Sequence, residues 1–260
     1  MVLSESVPGQ PPMPVPRLRV FAGPNGSGKS TIKRILDPDL IYIYVNADDL
    51  EREAVDNGCV DFSPFSITPD QRAFREFFSS HPLIVRERLS SQVEHFMVKG
   101  QSFFIDGITF SSYHASVLAD FIRHQLLENS ASFTFETVMS DRSKVDFIRK
   151  AKAMGYRTYL YFVATESPDI NINRVAIRVK DGGHNVTPDK VRARYYRCLA
   201  LLPEAIQATS RAYLFDNSSA KAELEAEITG ASDVEYKFNE VPEWCSVAIE
   251  ELEKLIHSAP

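Results

Sequence analysis

Short apolar runs alternate with amphipathic stretches along most of the chain. Five of these runs have the length and the aromatic or β-branched content of buried strands, and they cover residues 17–22, 40–45, 132–136, 157–164 and 211–215. Stretches with helical spacing separate most of them. This alternation predicts an α/β fold with a mainly parallel, five-stranded sheet flanked by helices.

Two helices are predicted between the fourth and fifth runs. Ser167-Pro168 and Thr187-Pro188 each place an N-cap residue before a first-turn proline. The first helix should end at Asp181-Gly182-Gly183, and Pro203 should kink or end the second.

A long insertion follows the second strand, at about 51–129, and its spacing is mostly helical. One predicted helical face carries Val85, Leu89, Val93 and Phe96, and another carries Ala115, Leu118, Ile122 and Leu126. A short strand is expected near 102–105. The insertion is far longer than a normal crossover, and such insertions near the carboxyl ends of parallel strands shape ligand sites. We therefore expect a helical insertion on the substrate side.

Composition sets the outer limits of the interpretation. Residues 1–16 contain five prolines and are predicted to be a disordered lead-in, 17–230 the main domain, and 231–260 a helical extension. The net charge of −6 gives no general attraction to nucleic acid, and no apolar run is long enough for a membrane span. The cysteines Cys59, Cys198 and Cys245 lack metal-ligand spacing and suit a reducing compartment. A cytoplasmic protein is expected.

A phosphate-binding loop directly follows the first strand. The segment fits the pattern G-x-x-x-x-G-K-[ST], and its members are Gly23, Pro24, Asn25, Gly26, Ser27, Gly28, Lys29, Ser30 and Thr31. Glycines let the backbone N–H groups turn toward phosphate oxygens. Lys29 should reach the β- and γ-phosphates, and the Ser30 hydroxyl should hold Mg²⁺, the only cofactor predicted, with ATP as co-substrate.

Two acidic positions follow predicted strands. Asp48, just after the second strand, is the candidate that orients an acceptor hydroxyl and takes its proton. The alternative is that Asp48 or Asp49 caps the next helix. Glu136, which ends the third strand and precedes Thr137, is a candidate for binding substrate hydroxyls or water-coordinated Mg²⁺.

A pair of arginines lies on one face of the helix after the fourth strand. Arg174 and Arg178 are four residues apart, and a glycine hinge follows them, so they could form a mobile lid that neutralises phosphate charge. A solvated basic face is the alternative. Arg192, Arg194 and Arg197 are further candidates, and His184 is interpreted as a turn residue.

In their order along the chain, these segments resemble the zeta toxin family of P-loop kinases. The resemblance rests on residues 23–31, 45–50, 135–140, 155–157, 174–179, 182–184, 194–197 and 216–218. It implies a P-loop NTPase fold and transfer of the ATP γ-phosphate to the 3′-hydroxyl of the sugar in UDP-N-acetylglucosamine. It also implies that a small antitoxin protein is a possible partner.

The resemblance further assigns roles to single residues. Asp48 matches the proton-accepting aspartate, Lys29 the P-loop lysine, and Arg178 a lid arginine that contacts phosphate. Glu136, with Thr137 beside it, matches the substrate site, and Asn217 is similar to the residue that lines the adenine pocket.

Two other functions stay open at this point. A regulatory P-loop ATPase or nucleotide switch acting on a protein partner would also need the loop, although no Asn-Lys-x-Asp motif or ABC-type signature is present. The third candidate is an inactive or autoinhibited relative whose insertion fills the acceptor pocket.

Overall fold

A computed structural model of the protein describes residues 14–180 and 186–258. Its main element is a seven-stranded, mostly parallel sheet. The strands in this part of the chain are β1 (Arg17–Ala22), β2 (Ile43–Val45), β3 (Cys59–Asp61), β4 (Phe96–Lys99), β5 (Ser102–Ile105), β6 (Phe133–Thr137), β7 (Arg157–Ala164), β8 (Arg211–Asp216), β9 (Glu223–Thr229) and β10 (Asp233–Tyr236). The helices are α1 (Lys29–Ile35), α2 (Ala47–Asn57), α3 (Gln71–Ser80), α4 (Pro82–Arg86), α5 (Ser112–Glu128), α6 (Ser143–Ala153), α7 (Pro168–Lys180), α8 (Pro188–Ala208) and α9 (Glu243–His257).

The large sheet has the order β10-β9-β8-β7-β1-β6-β2. Strands β8, β7, β1, β6 and β2 are parallel, and β9 and β10 extend one edge in antiparallel pairing. The mainly parallel α/β fold is therefore confirmed, but the predicted count of five strands omits β9 and β10. Charged and apolar residues alternate in both strands, so neither has the continuous apolar run of a buried parallel strand.

Register brings the candidate chemistry to one edge of this sheet. Strand β1 lies between β6 and β7, and every position except Arg17 is buried. Ala22 pairs with Thr137, and Val45 pairs with Phe135, so β1, β6 and β2 end close together. The P-loop and the start of α2 therefore leave the sheet at the same edge as the end of β6.

Helices α5, α6, α8 and α9 contribute to the main core against the sheet. Helix α7 begins at Pro168 as predicted, and Ser167 Oγ accepts a hydrogen bond of 3.2 Å from the N–H of Asp169. Helix α8 continues through Pro203 to Ala208 and so does not end at that proline. The buried contacts of its neighbours Leu202, Ala205 and Ile206 hold this part of the helix on the core.

Some predictions concern residues that lie outside the described ranges. These are the hinge Asp181-Gly182-Gly183, His184, and residues 1–13 of the predicted lead-in. In the C-terminal extension, α9 is confirmed, but the extension is not only helical because β10 joins the large sheet.

The insertion between β2 and β6 combines helices with a second, antiparallel sheet of order β3-β5-β4. The short strand predicted near 102–105 is confirmed as β5, and Ala115, Leu118, Ile122 and Leu126 are buried on α5. The predicted helical face through Val85 and Phe96 is wrong. Helix α4 ends at Arg86, Arg88 has a left-handed φ of 57°, and Phe96 starts β4. Helical spacing in this stretch thus arose by coincidence.

Phenylalanine side chains form the core of the insertion. The ring of Phe103 on β5 has no exposed surface, and its centroid lies 5.1 Å from that of Phe74 and 5.2 Å from that of Phe96. The next residue, Phe104, points to the other face of the small sheet and is 37% exposed. Adjacent strand positions thus differ sharply in burial.

This difference gives a stability test within one strand. Replacing Phe103 with Ala should lower the free energy of unfolding by about 3–5 kcal/mol, because it leaves a cavity among packed rings. Phe104→Ala is the matched control and should cost less than about 1 kcal/mol. Urea denaturation followed by circular dichroism measures both, and similar losses in the two variants would contradict the assigned packing.

Candidate functional site

The P-loop connects β1 to α1 through glycines that no other residue could replace without strain. Gly28 has φ of 93°, and a Cβ atom there would lie 2.0 Å from Nδ2 of Asn217. Gly23 has φ of 147°, and its Cβ would lie 2.0 Å from the carbonyl oxygen of Val163. Both positions have a positive φ, and at both a Cβ atom would collide with a neighbouring residue, which explains why the sequence has glycine there.

Side chains from three distant segments hold the loop in place. The Asn171 amide on α7 donates to the carbonyl of Asn25 at 2.8 Å, and Arg194 on α8 donates to Oδ1 of Asn25 at 3.2 Å. Asn217, directly after β8, donates its amide to the carbonyl of Ser27 at 2.7 Å. The loop conformation therefore depends on residues far away in the sequence.

Lys29 lies inside this loop, and its Nζ donates to the carbonyl oxygens of Gly23 at 2.8 Å and Pro24 at 3.0 Å. Burial lowers the pKa of Lys29, while the carboxylates of Glu136 and Asp48 act in the opposite direction and Arg178 adds to the lowering. The side chains predicted separately as catalytic, substrate-binding and lid residues are thus close enough to act on one ammonium group.

Asp48 lies in the first turn of α2 with its side chain exposed. The N-cap of this helix is Asn46, whose Oδ1 accepts a 2.8 Å hydrogen bond from the N–H of Asp48. Asp49 instead forms a surface ion pair with Arg52 at 3.3 Å. Because Asn46 occupies the cap, the capping alternative for either aspartate is wrong.

Glu136 near the end of β6 belongs to a hydrogen-bonded chain that the sequence did not predict. The Tyr44 hydroxyl donates to Oε2 of Glu136 at 2.8 Å, and the Asn46 amide donates to the Tyr44 oxygen at 3.2 Å. Burial, and then the charge of Glu136, raise the pKa of Tyr44, so this phenol stays protonated. Beside it, Thr137 Oγ1 accepts a 3.0 Å hydrogen bond from the N–H of Met139. One carboxylate oxygen of Glu136 is therefore fixed in position.

The arginines of α7 have different surroundings. Arg174 Nη1 donates to the carbonyl of Asn217 at 2.7 Å, and Nη2 lies 3.4 Å from the carbonyls of Ser218 and Ser219. Arg178 is exposed and acts electrostatically on Lys29. In this conformation Arg174 holds the loop after β8, whereas the charge of Arg178 acts on Lys29.

Among the further arginine candidates, only Arg194 makes a contact with the P-loop in the described residues. Burial, and then the charge of Arg197, lower its pKa. Arg192 forms an exposed ion pair with Asp169 at 2.5 Å, which is a surface contact.

Sequence reasoning missed Asn171 and Tyr44 as residues that position the site. Tyr44 could have been found, because it lies two residues before Asn46 on the same face of a strand that leads into the site. Asn171 gave no signal, since a buried asparagine in the first half of a helix has no distinctive spacing. Asn217 was predicted to line the adenine pocket; the structure gives it a contact with the loop backbone, and its adenine role stays a prediction.

Oxygen donors suitable for a hard cation lie near the loop. Ser30 is exposed at the start of α1, and the carboxylates of Asp48 and Glu136 both act electrostatically on Lys29. Within residues 14–180 and 186–258, no three His, Cys, Asp or Glu side chains form a metal cluster. A site with few protein ligands is the kind that Mg²⁺ uses when phosphates and water complete its coordination.

No helix in the described ranges has both the length and the apolar character that a membrane span requires.

Comparison with a family model adds information that is independent of this geometry. The model described as zeta toxin matches residues 108–221, a span that includes Glu136, Arg174, Arg178 and Asn217. This match confirms the predicted resemblance to the zeta toxin family.

Solved structures align with this chain at low sequence identity. A crystal structure of AvrRxo1-ORF1:-ORF2 with ATP aligns with a TM-score of 0.51 and 18% identity, over 94% of this chain and 64% of that chain. The PezAT chromosomal toxin–antitoxin system of Streptococcus pneumoniae gives a TM-score of 0.49 and 14% identity, over 97% of this chain and 92% of that chain. This chain thus spans less than two thirds of the AvrRxo1 chain that it matches.

An uncharacterized protein of Haemophilus influenzae is 31% identical over 72 residues, which cover 28% of this chain and 51% of that protein. The matched segment therefore corresponds to about half the length of this relative.

The tight packing around Gly28 generates a test of the loop. Gly28→Ala should weaken ATP binding by about tenfold or more, because the new Cβ displaces the Asn217 amide and removes its hydrogen bond to Ser27. Gly58→Ala is the matched control, since Gly58 also has positive φ, 69°, but has no atom within 4 Å of its Cβ position. Calorimetric titration with ATP and Mg²⁺ compares the two variants. Equal affinities would contradict the role given to this close contact.

Proposed function

We propose that this zeta toxin-like chain is an ATP-dependent kinase that transfers the γ-phosphate of ATP to a sugar hydroxyl of UDP-N-acetylglucosamine. The observation that carries the proposal is the convergence on Lys29, where Glu136, Asp48 and Arg178 all act on an ammonium held inside a P-loop. Phosphoryl transfer needs mainly positioning and charge neutralisation, and these residues supply both.

In the proposed reaction, the acceptor hydroxyl oxygen bonds to the γ-phosphorus as the bond to the bridging oxygen of ADP breaks. Asp48 accepts the hydroxyl proton, because its carboxylate is exposed at the edge where β2 leads into α2. Lys29 leaves the carbonyls of Gly23 and Pro24 for phosphate oxygens, which are stronger partners for an ammonium. Arg178 stabilises the charge of the transferring group, and Arg174 does so after release from the loop at 217–219.

Glu136 is proposed to bind hydroxyl groups of the acceptor, with Thr137 beside it. The Tyr44 hydroxyl already donates to Oε2 of Glu136, which leaves the other carboxylate oxygen available to accept a hydrogen bond from a sugar. Asn217 contacts the loop backbone at Ser27 and is proposed to approach the nucleotide base.

Ser30, with Asp48 and Glu136 nearby, would hold Mg²⁺. When bound, this ion would neutralise charge on the β- and γ-phosphates.

A protein partner is also part of the proposal. The PezAT structure comes from a toxin–antitoxin system, and AvrRxo1-ORF1 is in complex with ORF2. By analogy, we propose that a small antitoxin protein binds this chain and controls its activity.

The experiment that tests the function is phosphate transfer from γ-labelled ATP with Mg²⁺ to a panel of UDP-sugars. Labelled UDP-N-acetylglucosamine, absent with Lys29→Ala, is the expected result. Label on another sugar would support the kinase activity and assign it a different acceptor. If ATP is hydrolysed without labelling any sugar, and the hydrolysis persists in Asp48→Asn, the protein is a regulatory ATPase and the kinase proposal is wrong.

Asp48 and Asp49 provide a matched pair for the proposed proton acceptor. Asp48→Asn should lower kcat by a factor of about 10² to 10⁴, because the amide cannot take the hydroxyl proton, while the affinity for ATP stays nearly unchanged. Asp49→Asn removes a neighbouring exposed carboxylate that pairs with Arg52, so it should change kcat by less than about twofold. Steady-state kinetics with the labelled acceptor compares them. Near-normal turnover by Asp48→Asn would show that another group accepts the proton.

A further inference from the structure

A groove separate from the P-loop runs between α8 and α9. Its volume is about 950 Å³. Its apolar walls include Tyr196, Leu199 and Pro203 on α8, and Trp244, Val247 and Leu255 on α9. Tyr196 is 58% exposed and Val247 is 48% exposed, so both side chains are accessible to a partner. We call this surface the α8–α9 groove.

The rim of the groove is acidic. Glu166, Glu204, Glu243 and Glu251 line it, and none of the described residues that line it is a lysine or an arginine. Glu204 is paired with Arg142 and Arg149, and Glu251 with Lys254. Glu166 and Glu243 have no ion pair among the described residues. Uncompensated negative charge therefore lies at the end of the groove near Trp244.

The helix that forms one wall is itself strongly acidic. Helix α9 contains four glutamates and a single lysine, although the whole chain has a net charge of only −6. Apolar walls below an acidic rim would attract a partner that carries both apolar and positively charged side chains.

The dimensions of the groove indicate the shape of that partner. Lining residues extend from 195 to 204 on α8 and from 243 to 255 on α9. At 1.5 Å per helical residue, these spans are about 14 and 18 Å long, enough for apolar side chains at positions i, i+4 and i+7 of a docked helix. A small ligand would fill only part of this length.

Pro203 adds a polar feature to the same wall. It has no N–H to donate to the carbonyl of Leu199 four residues earlier, and both residues line the groove. A lysine or arginine of a partner could donate to a carbonyl of this kind.

From these observations we propose that the α8–α9 groove binds an amphipathic, positively charged helix of a partner protein. The apolar side of that helix packs between Tyr196 and Val247, and its lysine or arginine side chains pair with Glu166 and Glu243. This binding does not require the proposed kinase reaction.

The proposal can be tested with two synthetic peptides of about 14 residues, which is about four helical turns. Both carry leucine on one helical face; the other positions are lysine in one peptide and glutamate in the other. Anisotropy of a labelled peptide gives the Kd. Trp244, the only tryptophan of the chain, gives a fluorescence signal from the groove itself. The leucine–lysine peptide should bind saturably and change this signal, and the leucine–glutamate peptide should not.

Variants locate the binding. Val247→Arg should raise the Kd of the leucine–lysine peptide by about tenfold or more, because the arginine fills the groove and adds a charge of the same sign as the peptide's. Val85→Arg is the control, since Val85 is 57% exposed on α4, and it should leave the Kd within about twofold. Glu243→Lys should also raise the Kd of the leucine–lysine peptide, because it reverses a charge at the rim and leaves the apolar lining unchanged. Circular dichroism confirms that each variant is folded.

Three results would overturn the proposal. One is equal binding of the two peptides, and another is wild-type affinity in Val247→Arg. The third is competition by n-decylamine, a single aliphatic chain with one ammonium, at an affinity equal to that of the lysine peptide. That outcome would assign the groove to a small amphiphilic cation.

Discussion

Burying the ammonium group of Lys29 constrains nearly every other feature of the site. A charge removed from water requires compensating oxygens, and here they come from the carbonyls of Gly23 and Pro24 and from the charges of Glu136 and Asp48. Those carbonyls can turn inward only where glycine permits unusual backbone angles. The glycines of the loop and the order of strands that brings two carboxylates to one edge both compensate this single buried charge, whereas the charge of Arg178 acts against it.

Most of the central sheet could be predicted because buried parallel strands consist largely of consecutive apolar residues, which are recognisable in the sequence. Strands β1 and β7 have the predicted bounds, since β1 ends in the apolar run 20–22 and β7 in the apolar run 159–164, whereas β9 and β10 alternate charged and apolar residues at the edge of the sheet. The insertion was harder to predict. Its phenylalanines meet from β4, β5, α3 and α5, and spacing within one segment cannot reveal which segments will pack together.

The site shows the same limit at the level of single residues. Glu136 lies at the end of β6, and Lys29 and Asp48 lie in the first turns of the helices that follow β1 and β2, so topology brings the three together. Asn171 and Arg194 reach the loop from helices whose orientation depends on packing across the whole domain. Asp216 shows how closely these parts are joined, because its carboxylate accepts the indole N–H of Trp244 at 2.8 Å and the N–H of Ser218 at 2.7 Å. The wall of the α8–α9 groove and the segment that contacts the P-loop thus share one hydrogen-bonding residue.

The three side chains that hold the P-loop also set the order in which the protein becomes functional during synthesis. They contact the loop across sequence separations of 146, 169 and 190 residues. A ribosome that adds 5–20 residues per second needs on the order of 10 to 40 seconds to pass from the loop to the last of them. During that interval the loop has been synthesised, but not all of the residues that support it have been made. The nucleotide site can therefore be completed only after Asn217 has been made, 190 residues after the loop residue that it contacts.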